Sequence, residues 1–357
     1  MRLLQVSSRF DPWVVRAAAT LRLPDLVAEG ADTTSELAAR SGTDPDALGR
    51  LMRHLRLLGL FCTTAVGCWA LTELGELLRD GHPIGLRKTL DQTNHYVHKV
   101  DMLGCGLLEA VRTGGAVWEK VHGLSFWDDM SADSELRRDF GAHVAPHSAK
   151  YNPAITRGYD WSTVEHLIDV GGGTGATLAT ILGAHPHLRG TLVDLPGPVA
   201  GAAAVLEQAN VLGRCVVVPQ SFFDPLPPGG DVYLLVKTVH DWNDAHSARI
   251  LRRCAEAAGP GGRVLLAERV LTDEADEAEQ ALVSARDLFL LLANGGQERS
   301  ENEFRQLGAT AGLRHTTTHP LVDYPSLSLV EYVVEENGNA RSHRGAGNQG
   351  EKLSTFP

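Results

Sequence analysis

The run Val164-Glu165-His166-Leu167-Ile168-Asp169-Val170 leads directly into Gly171-Gly172-Gly173-Thr174-Gly175. A short apolar run of this kind reads as a strand, and the glycines after it force a tight turn at the mouth of the next element. Without Cβ atoms such a turn lets the backbone approach a nucleotide closely. Further apolar runs follow at Gly190 to Asp194, Cys215 to Pro219, Asp231 to Lys237 and Gly262 to Glu268, separated by stretches with helical period. This alternation predicts an α/β domain over 161–335, a Rossmann-like, parallel, doubly wound sheet.

Upstream the character differs. From about Phe10 to Leu108 the pattern is helical, with breaks at Pro24, Gly30, Gly42 and Gly59. A helix is expected to begin at Thr43, where Thr43-Asp44-Pro45-Asp46 combines a capping side chain, a first-turn proline and an acid three positions on. Leu48, Leu51, Met52, Leu55 and Leu58 then share one face, and Gly59 supplies the stop. A shorter helix from Ser35 to Arg40 precedes it, and Leu60 to Thr72, turning at Gly67, follows it. Helix, turn, helix and hairpin make a winged helix, so 1–90 is read as one domain. Residues 91–160 are read as a helical linker and pocket region carrying Trp118, Phe126, Trp127 and Phe140, which either form core or wall a site for a flat ligand. Residues 336–357 are polar, and disorder is expected there.

A winged helix raises the possibility of a DNA-binding regulator, with Arg50, Arg53, His54 and Arg56 on the reading helix. The formal net charge of −11 argues against it, because affinity for nucleic acid rests mainly on neutralising phosphates. With 43% hydrophobic and 22% charged residues the 357-residue chain can build ordinary cores, and its length suggests two domains. None of the five cysteines pairs at the spacing of a zinc or redox motif, so reduced thiols are expected. The start Met1-Arg2-Leu3-Leu4-Gln5-Val6 lacks a signal-peptide pattern, and no run approaches the ~20 apolar residues of a membrane helix. A cytoplasmic protein without membrane or nucleic-acid partners is the expectation.

Asp194 ends the strand after the glycine turn, roughly where an acid grips ribose hydroxyls about 20 residues on. Gly171, Gly173 and Ala176 also satisfy a dinucleotide pattern, which leaves an NAD-dependent dehydrogenase open. Asp169 separates the readings: at a strand end it can hold a cationic amino group or fix the loop, whereas it repels a pyrophosphate. That favours S-adenosylmethionine. Across the sheet, Leu234-Leu235-Val236-Lys237-Thr238-Val239-His240-Asp241-Trp242 carries a strand out to a polar tip, where ligands of doubly wound sheets bind. Methyl transfer to a phenol of pKa ~10 needs a base, and a histidine near 6.5 can serve at neutral pH. Such a base works better with a carboxylate on its other ring nitrogen, for which Glu268 and Glu298 are available. No metal is called for, since no cluster of oxygen ligands accompanies these residues.

The combination of Asp169 to Gly175, Asp194-Leu195-Pro196, Phe223-Asp224-Pro225-Leu226-Pro227, His240-Asp241-Trp242 and Gly295-Gly296-Gln297-Glu298-Arg299 resembles the small-molecule O-methyltransferase family. That family includes plant phenylpropanoid and flavonoid enzymes and bacterial polyketide-tailoring enzymes, and the resemblance runs from Pro12 to about Val334. It implies a class I methyltransferase domain behind a winged-helix dimerisation domain, a homodimer, S-adenosyl-L-methionine as cofactor, and a small aromatic or polyketide acceptor. It also implies His240 as general base flanked by Glu268 and Glu298. Asp169, Gly171, Gly173, Asp194, Ser221, Phe222 and Lys237 are then the candidate cofactor-binding residues, and Trp127, Phe140 and Asp241 the candidates on the substrate side. The chain departs from the family at Gln220-Ser221-Phe222-Phe223, where a hydroxyl stands for an acid, and at Phe140-Gly141-Ala142-His143-Val144, which lacks the usual methionine. Ser221-Phe222-Phe223 and Val15-Arg16-Ala17-Ala18-Ala19-Thr20-Leu21-Arg22 resemble members that methylate hydroxylated aromatic acids, such as naphthoate or orsellinate units of enediyne antibiotics. A family member that binds the cofactor without methyl transfer, acting as a hydroxylase or decarboxylase, is the remaining alternative.

Overall fold

The computed structural model describes residues 3, 7–64, 68–272 and 276–335. The expected turn at Gly67 and the tail 336–357 lie outside the described residues. Two compact units are present, one comprising Met1–Ser148 with Leu291–Gly295 and the other Ala149–Leu290 with Gly296–Pro357.

In the first unit, helix α1 (Thr34–Ser41) opens with a capping box between Thr33 and Glu36, and Gly42 closes it in the left-handed conformation. Helix α2 (Pro45–Leu57) follows. Its cap is Asp44, whose carboxylate accepts from the Ala47 amide at 2.8 Å, and not Thr43. Thr43 instead meets the Ser41 hydroxyl at 2.9 Å, because proline at the first helical position selects the residue just before it as the cap. Leu48, Met52 and Leu55 are buried on the α2 face and pack with Leu37 and Phe61. Strands β1 (Phe61–Thr63) and β2 (Trp69–Leu71) then pair antiparallel, completing the helix–turn–helix–hairpin order.

The second unit is built on a seven-stranded sheet. Strands β3 (His166–Val170), β4 (Arg189–Asp194), β5 (Cys215–Pro219), β6 (Val232–Val236) and β7 (Arg263–Glu268) are parallel, as the apolar runs predict. A short parallel pair, β8 (Val270–Leu271) with β9 (Arg299–Ser300), lies after β7. The sequence reading did not anticipate β10 (Leu313–Leu321) and β11 (Tyr324–Val334), an antiparallel hairpin whose second strand pairs antiparallel with β7. The sheet is therefore mixed, in the order β10-β11-β7-β6-β3-β4-β5. Register irregularities interrupt β10 between His315 and Thr317 and again at Pro320, and β5 ends on Pro219.

Alternate residues along each strand feed opposite cores. Leu167, Leu192, Leu234 and Leu265 pack with Leu178 and Ile181 of helix α3 (Ala176–Ala184). Ile168, Val193, Tyr233 and Leu266 pack with Ile250 and Cys254 of helix α4 (Asp244–Ala258). Both faces are covered, which is why the strands read as nearly continuous apolar runs. Among the described residues no helix is long and apolar enough to cross a membrane.

Candidate functional site

The predicted site residues of the second unit lie at or just beyond the carboxyl ends of β3, β4, β5, β6 and β7, with Glu298 just before β9. Beyond β3, Gly171 (φ +75°), Gly173 (φ +59°) and Gly175 (φ +78°) adopt the left-handed conformation, and Gly175 caps α3. The Gly171 amide donates to the Val193 carbonyl at 2.8 Å. Asp194 fixes the turn from the neighbouring strand: Oδ2 accepts from the Gly173 amide at 2.8 Å and Oδ1 from the Leu195 amide at 2.7 Å. Burial pushes its carboxyl upward, and these two amides oppose that.

Asp169 lies beneath the turn, so close that a Cβ on Gly172 would stand 2.3 Å from its Oδ2. It is 1% exposed, and neither oxygen has a hydrogen-bond partner among the described residues. Burial, with the charge of Asp194 second, pushes its pKa to about 7; the Leu178 amide at the mouth of α3 acts in the opposite direction. An enclosed carboxylate lacking a partner is a site that gains from a nearby cation. Because the folded-state pKa exceeds the ordinary 3.8, this group's stabilising contribution is present below pH 4 and is lost as pH rises through 7. Asp169→Asn is therefore expected to raise the melting temperature of the ligand-free protein at pH 8 by several degrees, with little change at pH 4. Equal shifts at both pH values in a thermal melt would show that Asp169 is not the group responsible.

Phe222 is packed against the turn, its ring edge 3.4 Å from where a Cβ on Gly171 would be. It stands edge-on to Trp242, with ring centroids 5.9 Å apart. Ser221 beside it accepts the Phe223 amide at 3.2 Å, and a hydroxyl that accepts can still donate to a ligand.

His240 sits in a single 3-10 turn, Val239–Asp241, beyond β6. Glu268, fully buried at the end of β7, organises that turn. Its Oε1 accepts from the amides of Thr238 at 2.9 Å, Val239 at 2.8 Å and His240 at 3.4 Å. Its Oε2 is 2.6 Å from Nδ1 of His240. Burial alone would push the Glu268 carboxyl up, but His240, Lys237 and the Val239 amide outweigh it and hold the group below its ordinary range. An ionised Glu268 accepts only, so Nδ1 carries the hydrogen and Nε2 keeps the lone pair. That nitrogen is 3.5 Å from Asp241 Oδ1 and 3.5 Å from Nη2 of Arg286.

Glu298 has a different neighbour from the one expected. Its Oε1 accepts from Nε of Arg286 at 2.8 Å, and its Oε2 has no partner among the described residues. The Gln297 amide donates to the His240 carbonyl at 2.9 Å, so the Glu298 segment reaches the histidine through backbone. Lys237 occupies left-handed backbone at φ +51°. Burial first, then Arg286, pull its pKa down to about 8, while Glu268 and Glu298 oppose this. Its field is that of the His240 group.

Two residues had no role in the sequence reading. Arg299 is buried and pins the turn, donating to the Val239 carbonyl at 3.2 Å, the Trp242 carbonyl at 2.8 Å and Asp244 Oδ1 at 2.9 Å. Arg286 stands beside His240. The available signal was compositional: between Glu279 and Asn294 the apolar helix carries charge only at Arg286 and Asp287. Trp127 and Phe140 lie in the first unit, both against Phe126, at centroid distances of 4.8 and 6.1 Å.

The O-methyltransferase domain model matches residues 105–314, more than half of the chain, and the O-methyltransferase dimerisation domain model matches residues 6–80. The chain belongs to the O-methyltransferase family. Its α/β unit is accordingly the class I methyltransferase fold, with a mixed sheet. Over 310 residues this O-methyltransferase is 42% identical to 2,7-dihydroxy-5-methyl-1-naphthoate 7-O-methyltransferase of Streptomyces carzinostaticus, covering 87% of this chain and 91% of that one. It is 41% identical to aclacinomycin 10-hydroxylase RdmB of Streptomyces purpurascens, covering 85% and 81%. Among solved structures, the O-methyltransferase NcsB1 from neocarzinostatin biosynthesis, in complex with S-adenosylmethionine and 2-hydroxy-5-methyl naphthoic acid, superposes with a TM-score of 0.84 at 40% identity. That match covers 93% of this chain and 98% of NcsB1.

Proposed function

We propose that this O-methyltransferase uses S-adenosylmethionine to methylate a hydroxyl of an aromatic, polyketide-type acceptor in antibiotic tailoring, with His240 as general base. The observation that carries the catalytic reading is the 2.6 Å contact between Nδ1 of His240 and the buried Glu268, which leaves Nε2 basic at the end of β6. When bound, the cofactor supplies an electrophilic methyl group on a cationic sulfur. The turn 171–175, Asp194, Ser221 and Phe222 would hold it, and the field of Asp169 favours its positive charge.

His240 takes the acceptor proton on Nε2, and Glu268 balances the imidazolium that results. Holding acceptor and cofactor in line removes much of the entropic barrier, worth about 7–11 kcal/mol for well-aligned reactants. The match to a dimerisation domain supports action as a homodimer. The family match also disposes of the dehydrogenase reading of the glycines.

The test is incubation with S-adenosylmethionine and a panel of hydroxynaphthoates, followed by product mass. The expected result is a gain of one methylene. The likeness to a hydroxylase makes a second outcome specific: a gain of one oxygen, with no methyl incorporated, would assign the site to hydroxylation.

A further inference from the structure

The two nitrogens that face each other across 3.5 Å, Nε2 of His240 and Nη2 of Arg286, have complementary but unfinished chemistry. With Nδ1 protonated by its contact to Glu268, Nε2 is an acceptor, whereas a guanidinium can only donate. At 3.5 Å, the limit of a hydrogen bond, each satisfies the other poorly. An oxygen about 2.8 Å from Nε2 and about 2.9 Å from Nη2 closes a triangle on that edge, giving its proton to one and accepting from the other. Glu298, with its side chain wholly buried, fixes the guanidinium through Nε and leaves Arg286 about a third exposed. Arg286 is thus a cation held in place beside His240 while its side chain is only partly covered.

We infer that Arg286 is a catalytic residue of the proposed methyl transfer, holding the acceptor oxygen and stabilising it as an oxyanion while His240 removes its proton. The inference rests on the reading of the site as an aromatic hydroxyl methyltransferase. An ordinary phenol is a much weaker acid than an imidazolium, so its proton passes uphill, and an adjacent permanent cation narrows that gap by stabilising the oxyanion. Arginine keeps its charge throughout, so it is not a second base. The balance is complete: the O–H bond breaks with the proton passing to Nε2, an oxygen lone pair forms the new bond to the methyl carbon, and the bond from that carbon to sulfur breaks. The cationic sulfur leaves as a neutral thioether.

The charged groups around this oxygen come from four places. Asp241 lies on the base's own turn, Lys237 follows β6, Glu268 ends β7, and Glu298 precedes β9. Glu268 is committed to His240 and to the turn amides, and Glu298 to Arg286. Lys237 lies in the field of Arg286, and the two cations disfavour each other until an anion stands between them.

The experiment uses 6-hydroxy-2-naphthoate as an absorbance probe, because its naphtholate absorbs at longer wavelength than its naphthol. It is titrated with pH in complex with the full chain and S-adenosylhomocysteine. Bound to the unaltered protein, the hydroxyl pKa is expected to fall by at least one pH unit. In Arg286→Gln it returns to the value of the free probe, and in Arg286→Lys part of the shift is retained. In turnover with hydroxynaphthoates of graded acidity, Arg286→Gln is expected to lose at least 10-fold in kcat, most for the least acidic hydroxyl, with S-adenosylhomocysteine affinity unchanged. An unshifted hydroxyl pKa in the unaltered protein, or the same loss for every hydroxyl acidity, would overturn the inference while leaving methyl transfer standing. An unaltered protein that binds S-adenosylhomocysteine but no hydroxynaphthoate would overturn the acceptor class and the inference with it.

Discussion

Replacing His240 with alanine is expected to lower kcat by about 100-fold or more while S-adenosylhomocysteine binds nearly as tightly as before. General-base catalysis is typically worth 10²- to 10⁴-fold. The neighbouring groups are occupied otherwise: Glu268 is closed off by three amides, Arg286 is permanently charged, and Glu298 is tied to Arg286. The cofactor-side residues make their contacts elsewhere, with Asp194 on Gly173 and Phe222 against Gly171, so affinity for the cofactor product is spared. The substitution does leave Oε2 of a buried carboxylate without its partner, so a lower melting temperature is expected as well. Calorimetry with S-adenosylhomocysteine separates the two effects. Unchanged kcat in a folded variant would remove His240 from the mechanism.

The second large effect is expected at Gly172. A methyl group there would lie 2.3 Å from Oδ2 of Asp169 and 2.5 Å from Cδ1 of Leu192, both on buried side chains. Either those side chains or the turn must shift. Overpacking of this kind costs about 1–3 kcal/mol, and where that strain falls on the cofactor-binding form of the turn, affinity is expected to fall by about 5- to 150-fold in Gly172→Ala. Gly173 provides the comparison. A Cβ there meets nothing within 4 Å, and the cost is that of its positive φ alone, about 1–2 kcal/mol. Equal affinities for the two variants would mean that contact with Asp169 does not set the height of the turn.

The parallel strands were legible because burial on both faces writes itself as uninterrupted apolar runs, such as Val232 to Val236. The terminal hairpin was not. Leu313–Leu321 contains two histidines, an arginine and three threonines, since its place at the sheet edge leaves much of it half-exposed. The glycine turn, Asp194, and the pairing of His240 with Glu268 follow from strand ends, which sequence locates well. The partner of Glu298 does not, because it depends on the rotation of a helix that presents Arg286. Side-chain reach between elements distant in the chain leaves no local pattern.

Both borders of the seven-stranded sheet are interrupted, β10 by its irregular register and Pro320, β5 by its final Pro219. Open borders are where sheets recruit foreign strands, and bulges and prolines obstruct that recruitment. Concentrated preparations of the folded chain should therefore resist fibrillar stacking through this sheet, and self-association is left to the helical surfaces.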